Sequence, residues 1–133
     1  MPPALSPAEL AYLRTQPLGR LATIDRAGNL QNNPVGFTVD EQTGQIIIGG
    51  RAMAASRKFR NVRRNPNVAF VVDDLASTNP WTARGVEFRG VAEALEDIDP
   101  PMPGMSREVI RITPSWIGSW GVEPGTTGMS SRG

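Results

Sequence analysis

Residues 56–66 read SRKFRNVRRNP, and Arg57, Lys58, Arg60, Arg63 and Arg64 fall within nine positions of it. Arg51 lies just upstream, and no Asp or Glu occurs between Glu41 and Asp73. Residues of this kind hold anions. The chain contains no histidine and no cysteine, which removes the commonest general base, the usual metal ligands and any Ser/His or Cys/His nucleophile pair. Chemistry at neutral pH would therefore fall to a bound cofactor, with the protein binding and orienting it. The sequence names no catalytic side chain and no metal site.

Three readings of the basic stretch compete. It can be a solvated helix face, but no acid lies within it to form the i,i+4 pairs that support exposed charged helices. It can be a nucleic-acid face, but the net charge is only +1, and its one aromatic, Phe59, is spaced with Val62 to meet a core rather than to stack on bases. It can be a phosphate cradle. Gly49-Gly50 allows close backbone approach, Ser56 offers a hydroxyl, and a helix N-terminus presents free amides and its dipole to an anion. Arg57 and Lys58 would complete the neutralisation. No GxxxxGK[ST] loop is present, so this is not a Walker site.

The elements around this stretch follow from pattern. SPAELAYL opens with a capping box, Ser6 as N-cap and Glu9 three residues on, predicting a helix over 6–15. LGRLATID reads as a strand and Arg26-Ala27-Gly28-Asn29 as a turn. LQNNPVGFTVD reads as a second strand interrupted at Pro34, a residue confined to edges, bulges or openings of a ladder. QIIIGG is a third strand, apolar enough for burial on both faces. The basic helix follows and stops at Asn65-Pro66. NVAFVVDD is a buried fourth strand, LASTNPWTA a loop, and RGVEFRGVAEALE a long alternating fifth. DIDPPMPGM is a loop, REVIRIT a sixth strand, and PSWIGSWGV a turn into a short last segment. Residues 124–133 read as a mobile tail. Short strands at hairpin spacing with one inserted helix predict a mainly β (α+β) single domain over 1–133, a six- to seven-stranded antiparallel barrel. No apolar run is long enough to span a bilayer, and MPPALSPAEL lacks a signal-peptide pattern; with no cysteine, a cytoplasmic location is expected.

The order LATID–turn–QNNPVGFTVD–turn–QIIIGG, then SRKFRNVRRNPNVAFVVDD, then PWTARGVEFRGVAEAL, resembles the pyridoxamine 5'-phosphate oxidase-like family of split β-barrel, FMN-binding-type proteins. Within it the chain is similar to the actinobacterial branch that uses the deazaflavin coenzyme F420. The likeness spans residues 18–121, and ITPSWIGSWG supplies a second, independent motif. It implies a homodimer with two cofactor sites at the subunit interface and a small-molecule substrate, with neither nucleic acid nor membrane as partner. It puts the cofactor phosphate near Gly50, Arg51, Ser56, Arg57 and Lys58, and the tricyclic ring along Asn32, Asn33, Pro34 and Val35. Pro34 would then mark an opened ladder that meets the ring edge; a plain edge strand explains it as well. Trp81 would cover a ring from the partner subunit, or serve as a core or dimer contact. Trp116 and Trp120 read as packing residues.

The chain also departs from the family. Gly36 stands where a bulky residue, often Trp, is common, and Trp116 stands where a basic residue is frequent. The His and Arg pattern of a pyridoxal phosphate substrate site is absent, which argues against pyridoxamine phosphate oxidase activity itself. FMN and F420 share ring shape and phosphate, but F420 adds an acidic oligoglutamate tail that Arg51, Arg60 and Arg64 could receive. The expectation is therefore an F420-dependent reductase of an unsaturated small molecule. An FMN oxidoreductase and a non-catalytic flavin or tetrapyrrole carrier are the alternatives.

Overall fold

The computed structural model describes residues 3–100, 102–125 and 128–133 of the chain. Helix α1 (Pro7–Arg14) begins where the capping box places it: Ser6 Oγ accepts from the Glu9 amide at 3.1 Å, and Glu9 Oε1 accepts from the Ser6 amide at 2.9 Å. Then come β1 (Leu18–Ile24), β2 (Leu30–Gly36), β3 (Thr38–Asp40) and β4 (Gln45–Ile48). A single 3-10 turn, Met53–Ala55, leads into α2 (Arg57–Arg64), followed by β5 (Asn67–Thr78), β6 (Trp81–Leu95), β7 (Val109–Trp120) and β8 (Met129–Arg132).

The sheet runs β2-β1-β5-β6-β7-β4-β3, with β8 added beside β7, and every pairing is antiparallel. β2 and β3 are its two opposite edges, yet Phe37 alone separates them in the chain. One residue cannot bridge the width of a flat seven-stranded sheet, since neighbouring strands lie about 4.8 Å apart. The sheet must roll until its edges meet at Phe37, where they are not hydrogen-bonded to each other: a split barrel. Inside, Phe70 and Phe88 are fully buried with Ile46, Ile48, Ile110 and Ile112. The Phe37 ring meets Phe70 edge-on at 5.3 Å, drawing the seam shut.

Four features differ from the sequence expectation, and two of them, the split of the second strand and the strand in the tail, bring the count to eight. The second strand breaks at Phe37, not at Pro34, which stays paired with Arg20. β2 is an edge, so the missing proline amide leaves no ladder bond unmade on its outer side. LASTNPWTA is no loop: β5 and β6 stay paired to Thr78↔Trp81, held by backbone bonds that need no hydrophobic alternation. PSWIGSWGV is not a turn but the continuation of β7, and the register shift that leaves Ser115 unmatched at Arg89/Gly90 absorbs Pro114. The tail, apart from Thr126 and Thr127, which lie outside the described residues, contains β8. Arg132 of β8 donates to both Glu9 oxygens and, at 2.6 Å, to Ala4 O.

Trp116 and Trp120 pack as the sequence suggests. The Trp120 ring lies where a Cβ on Gly85 would stand, at 2.5 Å, and the Arg89 guanidinium sits 4.0 Å over Trp116. Among the described residues, no helix is long and apolar enough to cross a membrane.

Candidate functional site

Helix α2 is set on the barrel by three inward residues. Phe59 and Val62 are buried, as their spacing predicted, and so is Asn61. The Asn61 amide donates to Thr23 Oγ1 at 3.0 Å and to Gln31 Oε1 at 3.1 Å. Gln31 Nε2 in turn donates to Asn33 Oδ1 at 2.7 Å. A polar chain thus runs from the basic helix to the second strand and fixes the side chain of Asn33. The sequence reading missed Asn61 and Gln31; a polar residue on the inward side of a helix otherwise anchored by Phe59 and Val62 was the available signal.

Ser56 is the N-cap of α2. Its hydroxyl accepts from the Phe59 amide at 3.3 Å and donates to Met53 O at 2.6 Å. The hydroxyl proton is therefore already used, and Ser56 serves the site by starting the helix. The amides of Arg57 and Lys58 have no acceptor within the helix and stand at the positive end of its dipole. Gly50 lies just before this turn, and its carbonyl accepts from the Ser106 amide at 2.8 Å and the Ser106 hydroxyl at 3.0 Å. A Cβ on Gly50 would make only ordinary contact, 3.7 Å from Met53 Cε, so nothing inside the chain requires glycine there. Arg51 is exposed on the turn that follows.

The cations divide differently from the sequence reading. At about 100° per residue, Arg57, Arg60, Asn61 and Arg64 share one stripe of α2, and Lys58 lies a quarter-turn away. That stripe and the β1–β2 turn (Asp25, Arg26, Ala27) line one hollow of about 300 Å³. Arg26 was not singled out in the sequence, because only the fold carries the turn to the helix. Arg63 leaves the group: it pairs with Glu96 and its guanidinium lies 4.8 Å over the Phe59 ring.

Ion pairing sharpens the picture. Of the fourteen Lys and Arg residues, Arg14, Arg20, Arg63, Arg84, Arg89, Arg107, Arg111 and Arg132 each have a carboxylate partner. Among the described residues the other six, Arg26, Arg51, Arg57, Lys58, Arg60 and Arg64, have none, and all belong to α2, the turn before it or the turn it faces. Six cations without a carboxylate partner among the described residues, two helix amides with no acceptor in the helix and a glycine that packing does not require form a surface chemically suited to an anion.

On β2, Asn32 and Pro34 point outward and are exposed, while Asn33 and Val35 face inward. Trp81 is not near any of these residues in its own chain. It is 72% exposed at the tip of the β5–β6 ribbon, about 35 Å along the strand from the α2 end at roughly 3.3 Å per residue.

Comparison with known proteins gives the same fold and chemistry. The chain is 46% identical over 131 residues to 5a,11a-dehydrotetracycline/5a,11a-dehydrooxytetracycline reductase of Streptomyces rimosus, covering 93% of this chain and 89% of that protein. A conserved hypothetical protein of Mycobacterium tuberculosis superposes with a TM-score of 0.69 at 27% identity, over 98% of this chain and 94% of that one. The FAD binding protein of Mycobacterium smegmatis has the same fold, with a TM-score of 0.63 at 22% identity over 86% and 93% of the two chains. Family and reductase relative agree on oxidoreductase chemistry. With the pyridoxamine 5'-phosphate oxidase family model matching residues 5–121, the chain belongs to that family.

Proposed function

We propose that this protein is an F420-dependent reductase of a flat, unsaturated polycyclic small molecule, working as a homodimer in the cytoplasm. The observation that carries the reading is the cluster of six unpaired cations around α2. A single phosphate is served by the helix amides with Arg57 and Lys58; Arg26, Arg60 and Arg64 are surplus to it. A cofactor with further carboxylates beyond its phosphate uses that surplus, which favours F420 over FMN. The 46%-identical relative, named for reduction of a dehydrotetracycline, supports a polycyclic acceptor.

When bound, the deazaflavin supplies the hydride. The chain's own part is positional. Arg57, Lys58 and the first α2 amides neutralise the phosphate. Asn32 and Pro34, outward on edge strand β2, present the surface for the ring, while inward Asn33, bonded to Gln31, steadies the strand between them. The proton that completes the reduction would come from the reduced cofactor or solvent, and the chain's contribution to rate is positioning.

Support for the homodimer comes from the β5–β6 ribbon. Beyond Gly85 it has no β7 partner, and it carries exposed Leu75 and Trp81, apolar surface that an interface would cover. Trp81 can then complete a site only in a second copy.

Titration of the purified protein with F420 and with FMN tests the reading. F420 should bind with a low-micromolar or better Kd and FMN at least tenfold more weakly. No change in F420 fluorescence overturns the proposal, and tighter FMN binding replaces it with the FMN oxidoreductase.

A further inference from the structure

The glycines of the strands point to a second site. In β1, β6 and β7, a Cβ on Gly19, Gly85, Gly90 or Gly118 would come within 2.2–2.5 Å of a neighbouring atom, so packing demands glycine at each. Gly36, the last residue of β2, is different. Nothing lies within 4 Å of where its Cβ would stand, and its φ is not in the positive region. Neither packing nor backbone explains it. The space beside it is a hollow of about 270 Å³ at the barrel seam, lined chiefly by Gly36, Phe37, Ile47, Met102, Met105 and Pro17.

The chemistry of this hollow is distinct from that of the arginine stripe. Its walls are mostly apolar, and among the described residues no charged side chain lines it. Ile47 faces it only half-buried, and Met102 is 55% exposed above it; both would gain by being covered. The methionine wall is fixed at one foot. Ser106, next to Met105, donates twice to Gly50 O and accepts from the Met53 amide at 3.2 Å. The same residue therefore holds the apolar wall and the turn before α2. Gly36 directly follows Asn32–Val35, the stretch to which the proposed function gives the ring.

We propose that the seam hollow is the acceptor subsite, taking a flat, uncharged fused-ring ketone or enone, and that Gly36 sets how large a ring system enters. This rests on the reductase reading above for its place in the reaction, but not for its binding chemistry. A volume just under the usual range for small-molecule pockets suits two fused rings, with any further rings extending out past Met102. Methionine side chains adapt to the shape of such a surface.

The test labels methionine methyls with 13C and titrates the protein, with and without F420, with 1-tetralone (two fused rings) and cyclohex-2-en-1-one (one ring). With 1-tetralone the Met102 and Met105 signals should move together and the buried Met53 signal should stay. Gly36→Trp narrows the hollow to room for one ring, and should weaken 1-tetralone binding at least tenfold, cyclohexenone binding at most threefold, and leave the F420 titration unchanged. Met105→Ala, which widens the hollow, should tighten or preserve 1-tetralone binding if Gly36→Trp fails to fold. Unmoved Met102 and Met105 signals overturn the proposal. So does a Gly36→Trp protein that still binds 1-tetralone, or one that loses F420 in step with it, which would make the hollow part of the cofactor seat. A wild-type protein that ignores F420 yet shows the methionine shifts defeats the F420 reading and supports the ring subsite.

Discussion

Arg57 and Arg63 are six residues apart in one basic helix, and their surroundings give them different work. Arg57 faces the hollow with Arg26, Arg60 and Arg64 and has no carboxylate partner, whereas Arg63 is tied to Glu96 and Phe59. A hydrogen bond to a charged group contributes about 1.5–3 kcal/mol. The Arg57→Ala, Lys58→Ala double change should therefore weaken F420 binding by about 100-fold or more, and Arg63→Ala by less than threefold, in a fluorescence titration. An equal loss from Arg63→Ala would show that general charge, not position, attracts the cofactor. Arg60→Ala and Arg64→Ala should discriminate between F420 molecules with and without the oligoglutamate tail and leave FMN binding unchanged. Ser56→Ala separates two roles of one hydroxyl. Because that hydroxyl caps the helix and already donates to Met53 O, stability should fall by about 1 kcal/mol, with F420 affinity altered less than threefold.

At the level of elements, the two helices differ in their polar fastenings. Both bury apolar residues in the core, Phe59 and Val62 from α2, Tyr12 and Leu13 from α1, but α2 adds the neutral Asn61 amide and α1 adds charged contacts. Tyr12 of α1 donates to Asp74 at 2.9 Å, and Arg84 meets both oxygens of Asp74 at 2.8 Å, tying the helix to the root of the β5–β6 ribbon. The Arg84 guanidinium is the main reason the Asp74 carboxyl is held below its usual range. Glu9, 1% exposed, takes Arg132 from β8. Burial pushes the Glu9 carboxyl up, but hydrogen bonds from Arg132, the Ser6 amide and Ser119 outweigh it and leave the group below its ordinary value. Since the folded value lies below the unfolded one, near 4.3, the stabilisation is complete above about pH 5 and is lost as the pH falls through the folded value. Arg132→Ala should cost about 2–3 kcal/mol at pH 7, less than a fully buried pair because Arg132 is a third exposed. Burial then acts on Glu9 with its main partner gone, so the deficit should shrink toward pH 4 as Glu9 takes up a proton. Thermal melts of both proteins across pH 4–8 check this; a deficit that stays constant would mean packing, not charge, holds β8.

For the whole molecule, the rolled sheet sorts the candidate residues to two ends. The α2 end gathers Arg26, Arg57, Arg60, Arg64 and the Asn61–Gln31–Asn33 chain; the far end carries Leu75 and Trp81 on a ribbon with no third strand. In the proposed dimer the ribbon lies against the second copy. Sedimentation at micromolar concentration should give a dimer, and a Leu75→Ser, Trp81→Ser double change should raise the dimer dissociation constant at least tenfold. A monomeric wild-type protein that binds F420 at full stoichiometry would remove Trp81 from the site.

Much of this was legible in the residues themselves. The capping box fixed α1 within a residue at each end, because Ser6 and Glu9 satisfy each other locally. Ser56, Phe59, Val62 and Asn65-Pro66 likewise marked α2, and the strands of the core showed in their alternation. Absence of histidine and cysteine, with local positive charge, is what directs the proposal above to a bound anionic cofactor. What the sequence left open were features whose partners lie far along the chain. The Phe37 break, the burial of Glu9 under Arg132, the diversion of Arg63 to Glu96, the arrival of Arg26 beside α2 and the meeting of Gly36 with Met102 and Met105 each depend on residues dozens of positions apart. Local propensity acts over a few residues, whereas these contacts exist only once the sheet has rolled its two edges together, so the tertiary structure alone decided them.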